Sequence, residues 1–253
     1  GFAQNSSYDE AGTVTPKGFS YADMGVGVTV GWGTYFGSAR GFAGTDKKII
    51  LDVKGPKEVK AKDITLSYVS NGTLLTEKIF EQLKNFKCVI IRLSLDAIQE
   101  PGEYFRFPIK WNTFKTKLEL MQKYAKHYSN FDIGVQWTCS NISMFYLTET
   151  FDFMQKNYPN IEFILANHVE WPVHMSAQVL PNVVKKIITD KIENYNFGKK
   201  SKKVPFYLNH MNEKNLWPEY GKTFINYLDD LDCARNINWK HSFKEIELHK
   251  YEL

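Results

Sequence analysis

Four groups of polar side chains stand out in this chain, each closing an apolar run. They are Ser70-Asn71-Gly72-Thr73, then Ser94-Leu95-Asp96-Ala97 followed by Glu103-Tyr104-Phe105-Arg106, then Thr138-Cys139-Ser140-Asn141, and finally Asn167-His168-Val169-Glu170-Trp171-Pro172. Carboxylates and hydroxyls of this kind can hold the hydroxyls of a ribose, and an arginine can clamp a carboxylate through two parallel N–H bonds. The set therefore suits a polar, nucleoside-like or amino-acid-like ligand. Ser-Asn and Asn-Gly also make turns and cap helices without any ligand. At a single tip the two readings weigh equally, and four polar tips together favour a site.

The elements that carry these tips follow from periodicity. Ile64–Val69, Cys88–Leu95, Phe131–Cys139 and Ile161–Val169 are short apolar runs of strand length. Between and after them lie helical patterns over Thr73–Asn85, Asn112–Tyr128, Ser143–Asn157 and Ser176–Tyr195, the last interrupted at Pro181. Thr73 is the expected cap of the first. Four βα units in succession predict an α/β fold with a parallel sheet, a partial (βα) barrel, whose functional edge is the C-terminal end of the strands. A basic loop at Gly198–Lys203, a helix over Trp217–Leu231 and an amphipathic tail follow.

Residues 1–60 differ. Ten of the 16 glycines fall in the first 45 residues, with aromatic and β-branched residues between them, which predicts short strands and tight turns. Lys48–Val53 reads as one more strand, stopped at Gly55-Pro56. The division expected is a Gly- and aromatic-rich β segment over 1–60 and a half-barrel with a helical tail over 63–253.

Composition sets the limits. A formal net charge of +4 over 253 residues is mild and calls for neither nucleic acid nor a membrane surface. No apolar run is long enough to span a bilayer. The three cysteines, Cys88, Cys139 and Cys233, are odd in number and far apart, which fits reduced thiols in a cytoplasmic setting better than a disulfide framework. The six histidines show no zinc-ligand spacing. His168 and His174 flank the fourth tip and are candidates to line a site there, although local hydrogen bonding is the commoner role. Gly25-x-Gly27 and Gly31-x-Gly33 lack the spacing and the following helix of a dinucleotide loop.

In order and spacing, Ser70-Asn71-Gly72, Ser94-Leu95-Asp96-Ala97, Glu103-Tyr104-Phe105-Arg106-Phe107-Pro108 with Trp111, and the tail Tyr227–Arg235 with Trp239 and Phe243 resemble radical S-adenosylmethionine enzymes, most closely the short "twitch" type found in phage genomes. The resemblance covers about residues 63–250. It implies S-adenosylmethionine as cofactor, with Ser70 and Asn71 beside it, Ser94 and Asp96 on its ribose or amino-acid end, Arg106 on its carboxylate, and Ser140 and Asn141 lining the third tip. It also implies a [4Fe–4S] cluster held by a C-x-x-x-C-x-x-C loop. That loop is absent, as is the family's Gly-Gly-Glu-Pro segment; Cys88, Cys139 and Cys233 read instead as structural thiols.

Two functions follow as expectations. One is a radical SAM-like protein, virus-encoded by its resemblance, that binds S-adenosylmethionine but does no radical chemistry as a single chain. Its substrate would be a small molecule or peptide. The other is a non-enzymatic structural or assembly protein that uses the half-barrel as a scaffold, with an oligomer or partner chain covering its open sheet edges.

Overall fold

The computed structural model describes residues 60–246 and Leu248, the Ser201 side chain excepted, together with the strand backbones at 5–8, 14–17, 25–32 and 35–42. The strand expected over Lys48–Val53 lies outside the described residues. β1 (Asn5–Tyr8) and β2 (Val14–Lys17) pair antiparallel in a sheet of their own. β3 (Gly25–Trp32) and β4 (Tyr35–Phe42) form an antiparallel pair that joins the main sheet. There β3 runs antiparallel to β5 (Thr65–Ser70), matching Val28–Gly31 with Tyr68–Thr65.

From β5 onward the architecture is α/β. β5, β6 (Cys88–Ser94), β7 (Phe131–Cys139) and β8 (Glu162–His168) are all parallel, and the full order is β4-β3-β5-β6-β7-β8. The helices interleave: α1 (Glu77–Leu83), α2 (Gln99–Phe105), α3 (Trp111–His127), α4 (Asn141–Phe145), α5 (Leu147–Asn157), α6 (Asn182–Glu193), α7 (Val204–Glu213), α8 (Trp217–Arg235) and α9 (Trp239–Ser242). Among the described residues β8 pairs only with β7, and β4 only with β3, so the sheet is open at both ends. No helix of the described residues is long and apolar enough to cross a membrane.

Alternation explains the packing. On β6, Val89, Ile91 and Leu93 are fully buried, while Ile90, Arg92 and Ser94 between them are half-buried. The buried set meets the apolar stripe of α3 (Phe114, Leu118, Met121, Tyr124), whose spacing keeps it on one helical face. Phe80 of α1 stacks on Tyr124 with ring centres 4.6 Å apart and leans on Phe131 of β7. The other sheet face carries Gly134 beneath the Arg92 side chain, which reaches over it to bond the Asp132 carbonyl and carboxylate, each at 2.8 Å. A Cβ on Gly134 would lie 2.8 Å from the Ile164 side chain, 2.9 Å from the Glu162 carbonyl and 3.2 Å from Arg92. Gly134→Ala is therefore expected to destabilise by about 1–3 kcal/mol; a urea unfolding midpoint equal to that of the parent would refute this reading.

Several boundaries depart from expectation for local reasons. Thr76, not Thr73, caps α1, accepting the Ile79 N–H; Thr73 lies in the turn after β5, where its N–H and hydroxyl are both donated to Asn71. The helix expected over Ser143–Asn157 begins earlier and divides into α4 and α5 at Tyr146. Pro181 delays α6 to Asn182, since the residue before a proline is driven from helical backbone angles. α2 and α7 were not foreseen. Both contain proline, in α2 beside a glycine, and a proline in the first turn lacks only an N–H that has no partner there anyway.

Candidate functional site

The expected site residues all lie at the C-terminal edge of the parallel strands, but in unlike states. At the β5 tip, the Ser70 hydroxyl accepts the Gly72 N–H at 3.0 Å, and the Asn71 side-chain oxygen accepts the Thr73 N–H at 3.1 Å and its hydroxyl at 2.8 Å. Gly72 has φ +82°, the left-handed region that glycine enters without strain. These bonds build the turn itself. At the β7 tip, Ser140 and Ser143 form a reciprocal capping box at the start of α4. Asn141 is fully buried; its amide donates to the His174 carbonyl at 2.9 Å and its oxygen accepts the Ile142 N–H. Ser70, Asn71, Ser140 and Asn141 are thus engaged in local structure.

The β6 tip is different. Asp96 and Arg106, ten residues apart, are brought together by the tight turn into α2, and Arg106 Nε stands 2.6 Å from an Asp96 carboxylate oxygen. Nε–H is not aligned on that oxygen, so the contact is an ion pair rather than a well-formed hydrogen bond. The two side chains retain 15% and 28% of their exposure. Ser94, half-buried on the same strand end, makes no side-chain hydrogen bond among the described residues. Glu103 accepts the Trp111 N–H and the Lys110 ammonium, at 2.8 and 3.1 Å, and so fastens α2 to α3. Tyr104 donates to the Leu228 carbonyl and to Asp232, fastening α2 to α8.

The cysteines do not form a cluster site. Cys88 opens β6 and Cys139 closes β7, at opposite edges of the parallel sheet, and Cys233 is exposed on α8. Burial pushes the Cys139 thiol far up, the reverse of what a thiolate ligand needs. No group of three His, Cys, Asp or Glu among the described residues could hold a metal ion. The residues present do not fit a [4Fe–4S] cluster. The buried structural role expected of all three thiols holds for Cys139; Cys88 is half-buried, and Cys233 faces outward because it lies off the apolar stripe of α8.

A cleft of about 570 Å³ opens at the β8 tip. His168, at the strand end, stacks on His210 of α7 with ring centres 3.8 Å apart and planes 28° apart. His168 Nε2 meets the Glu170 carboxylate at 3.0 Å, while its Nδ1 is buried without a partner. His210 Nε2 lies 3.4 Å from the Ser176 hydroxyl. Burial, then the neighbouring His168, lowers the pKa of His210. Behind the cleft, Lys185 is buried, donates to the Lys214 carbonyl at 2.6 Å, and is lowered to about 8 by desolvation. His174 turns elsewhere: its ring leans on Tyr227 at 4.8 Å and its Nε2 is buried. His210 is the residue that sequence reasoning missed. It lies 42 positions beyond His168 on a helix whose periodicity is broken by the basic loop before it. No family model, curated protein or solved structure matches the chain.

Proposed function

We propose that the chain is a radical SAM-like half-barrel that binds S-adenosylmethionine, or a ligand with the same amino-carboxylate end, at the β6 tip, and does no radical chemistry by itself. One observation carries this: Asp96 and Arg106 form a half-buried pair of opposite charges at the edge where βα folds receive ligands, two residues along the chain from Ser94, whose hydroxyl makes no hydrogen bond among the described residues. A zwitterion can replace each partner's counter-ion, its ammonium going to Asp96 and its carboxylate to Arg106. The exchange keeps both half-buried charges compensated, which a singly charged ligand would not. Three thiols remote from one another support a cytoplasmic setting.

Titration calorimetry with S-adenosylmethionine tests the reading. Binding is expected, and Asp96→Asn and Arg106→Gln should each weaken it by about tenfold or more, the worth of a charge-assisted hydrogen bond. Affinity unchanged by both substitutions sinks this site. Anaerobic reconstitution with iron and sulfide should leave the protein without cluster absorbance.

A second reading has its own support. The β5 and β7 tips are closed by local bonds, and among the described residues the sheet has open ends. A scaffold in an assembly would need no more. It predicts no heat with S-adenosylmethionine and self-association that grows with concentration.

A further inference from the structure

The cleft at the β8 tip lies at a different strand end from the Asp96–Arg106 pair, and its polar groups fall into two classes. The acceptors are partly engaged, each carboxylate through one oxygen. Glu170 holds His168 Nε2 at 3.0 Å, and Glu213 holds the side-chain amide of Gln178 at 3.1 Å. The donors are not. Among the described residues the Lys214 ammonium and the Asn209 amide make no side-chain hydrogen bond, and both line the cleft. His210 uses Nε2 toward Ser176, and among the described residues its Nδ1 has no partner and is not shut off from solvent. An ammonium, an amide and an imidazole nitrogen without protein partners on one cleft suit a ligand that brings acceptors. Its walls are partly apolar: Phe206, more than half exposed, with Val173 and Leu216.

We infer that this cleft binds a small organic carboxylate with an apolar body, seating the carboxylate on His210, Lys214 and Asn209 and the body on Phe206, and that it takes up a proton on His210 when it does so. An imidazolium donates through both nitrogens, so protonated His210 can hold Ser176 and the ligand at once.

The charges facing His210 are known from every element around it. His168 comes from β8, Glu170 from the loop after it, Lys185 from α6, Glu213 from its own helix and Lys214 from the residue after that helix. Without ligand, desolvation and the stacked His168 hold His210 neutral more firmly than an ordinary histidine, with Lys185 acting in the same direction and the two glutamates against it. A bound carboxylate reverses the balance and raises the pKa. Affinity therefore increases as pH falls through the histidine range, and declines again only when the ligand itself is protonated.

The probes are phenylacetate, its neutral isostere phenylacetamide, and inorganic phosphate, each titrated calorimetrically into the full chain. Phenylacetate is expected to bind, and to bind about tenfold more tightly at about pH 5.5 than at about pH 7.5, because at most one proton is taken up and each pKa unit gained is worth a factor of ten. The amide and phosphate should bind far more weakly. His210→Gln should abolish the pH dependence, and the exposed Lys214→Met should weaken phenylacetate several-fold while the circular dichroism spectrum stays that of the parent. The second variant keeps the test open should the first fail to fold. Equal binding of acid and amide, preference for phosphate, affinity independent of pH, or no binding at all would each overturn the inference. None of these outcomes bears on S-adenosylmethionine at the β6 tip, which Asp96→Asn reports separately.

Discussion

Gly102→Ala is expected to destabilise the protein by about 3 kcal/mol and to weaken any ligand held by Asp96 and Arg106. A Cβ on Gly102 would stand 2.3 Å from the Ala97 carbonyl oxygen and 3.0 Å from its carbon. Both atoms are backbone, so no rotamer relieves the overlap. The turn itself must open. It has little room to do so: Ala97 is fully buried, the Gly102 N–H bonds the Ile98 carbonyl at 3.3 Å, and Gln99 already sits at φ +54°. The same six residues set the distance between Asp96 and Arg106, because the Arg106 N–H hangs from the Gly102 carbonyl at 3.0 Å. One methyl group thus acts on stability and on the site together. The exposed Glu100, on the same turn, serves as the control; Glu100→Ala should shift stability by no more than about 0.5 kcal/mol. Urea unfolding of the two variants measures the first effect, and calorimetry with S-adenosylmethionine the second. A Gly102→Ala protein as stable as its parent would show that the turn is looser than drawn.

That turn also marks the limit of what sequence shows. The strands were legible because each is a compact apolar run with polar residues at its end: Phe131–Cys139 is found at the expected residues, and Cys88–Leu95 to within one. Alternation on β6 and the four-residue spacing on α3 depend on neighbours in sequence, which a reader of the chain can see. The meeting of Asp96 with Arg106 depends instead on a close backbone approach at Gly102, for which a glycine after a proline gives no specific signal. The polar tips show the same divide. Ser140 and Asn141 carry the right chemistry for a site, yet the nearer partners win: Ser143 is three residues from Ser140, and the His174 carbonyl comes from the next loop. A short hydroxyl or amide side chain at a strand end meets its own backbone before it meets a ligand. His210 was invisible for the opposite reason. Its role comes from stacking across a loop and a helix, with no local pattern to announce it.

Asp232→Ala carries the other large effect, about 3 kcal/mol of lost stability, and it explains why a tail residue bears on a strand-tip site. One carboxylate oxygen accepts the Tyr104 hydroxyl at 2.9 Å and the Trp239 N–H at 3.0 Å; the other accepts that same N–H at 2.8 Å. Asp229 takes the Trp239 indole N–H at 2.7 Å, and Arg235 donates to the Tyr104 carbonyl at 2.9 Å. Tyr104, Trp239 and Phe243 are all buried, and the Tyr104 and Phe243 rings meet edge to face at 4.8 Å. Removing the carboxylate leaves the Tyr104 hydroxyl to the Leu228 carbonyl alone, giving up the charge-assisted half of its bond, and leaves the Trp239 N–H without its acceptor; the charge-assisted bond and the orphaned N–H together are worth about 3 kcal/mol. Burial and the adjoining carboxylate push the Tyr104 hydroxyl well above the usual tyrosine range, so it remains a donor at any working pH. Because α2 is pinned through Tyr104, loosening the tail frees the C-terminal end of α2, where Arg106 sits. Asp232→Ala should therefore lower the affinity proposed for S-adenosylmethionine at the β6 tip without touching the ligand, whereas Cys233→Ala, one residue along on the exposed side, should change neither quantity. Tyr104→Phe removes the same hydroxyl contact from the other side. In a double-mutant cycle the two losses should fall short of additivity by about 1 kcal/mol or more, as expected for groups in one network. Strict additivity would mean that Tyr104 and Asp232 act separately, and that α2 is held by its apolar packing alone.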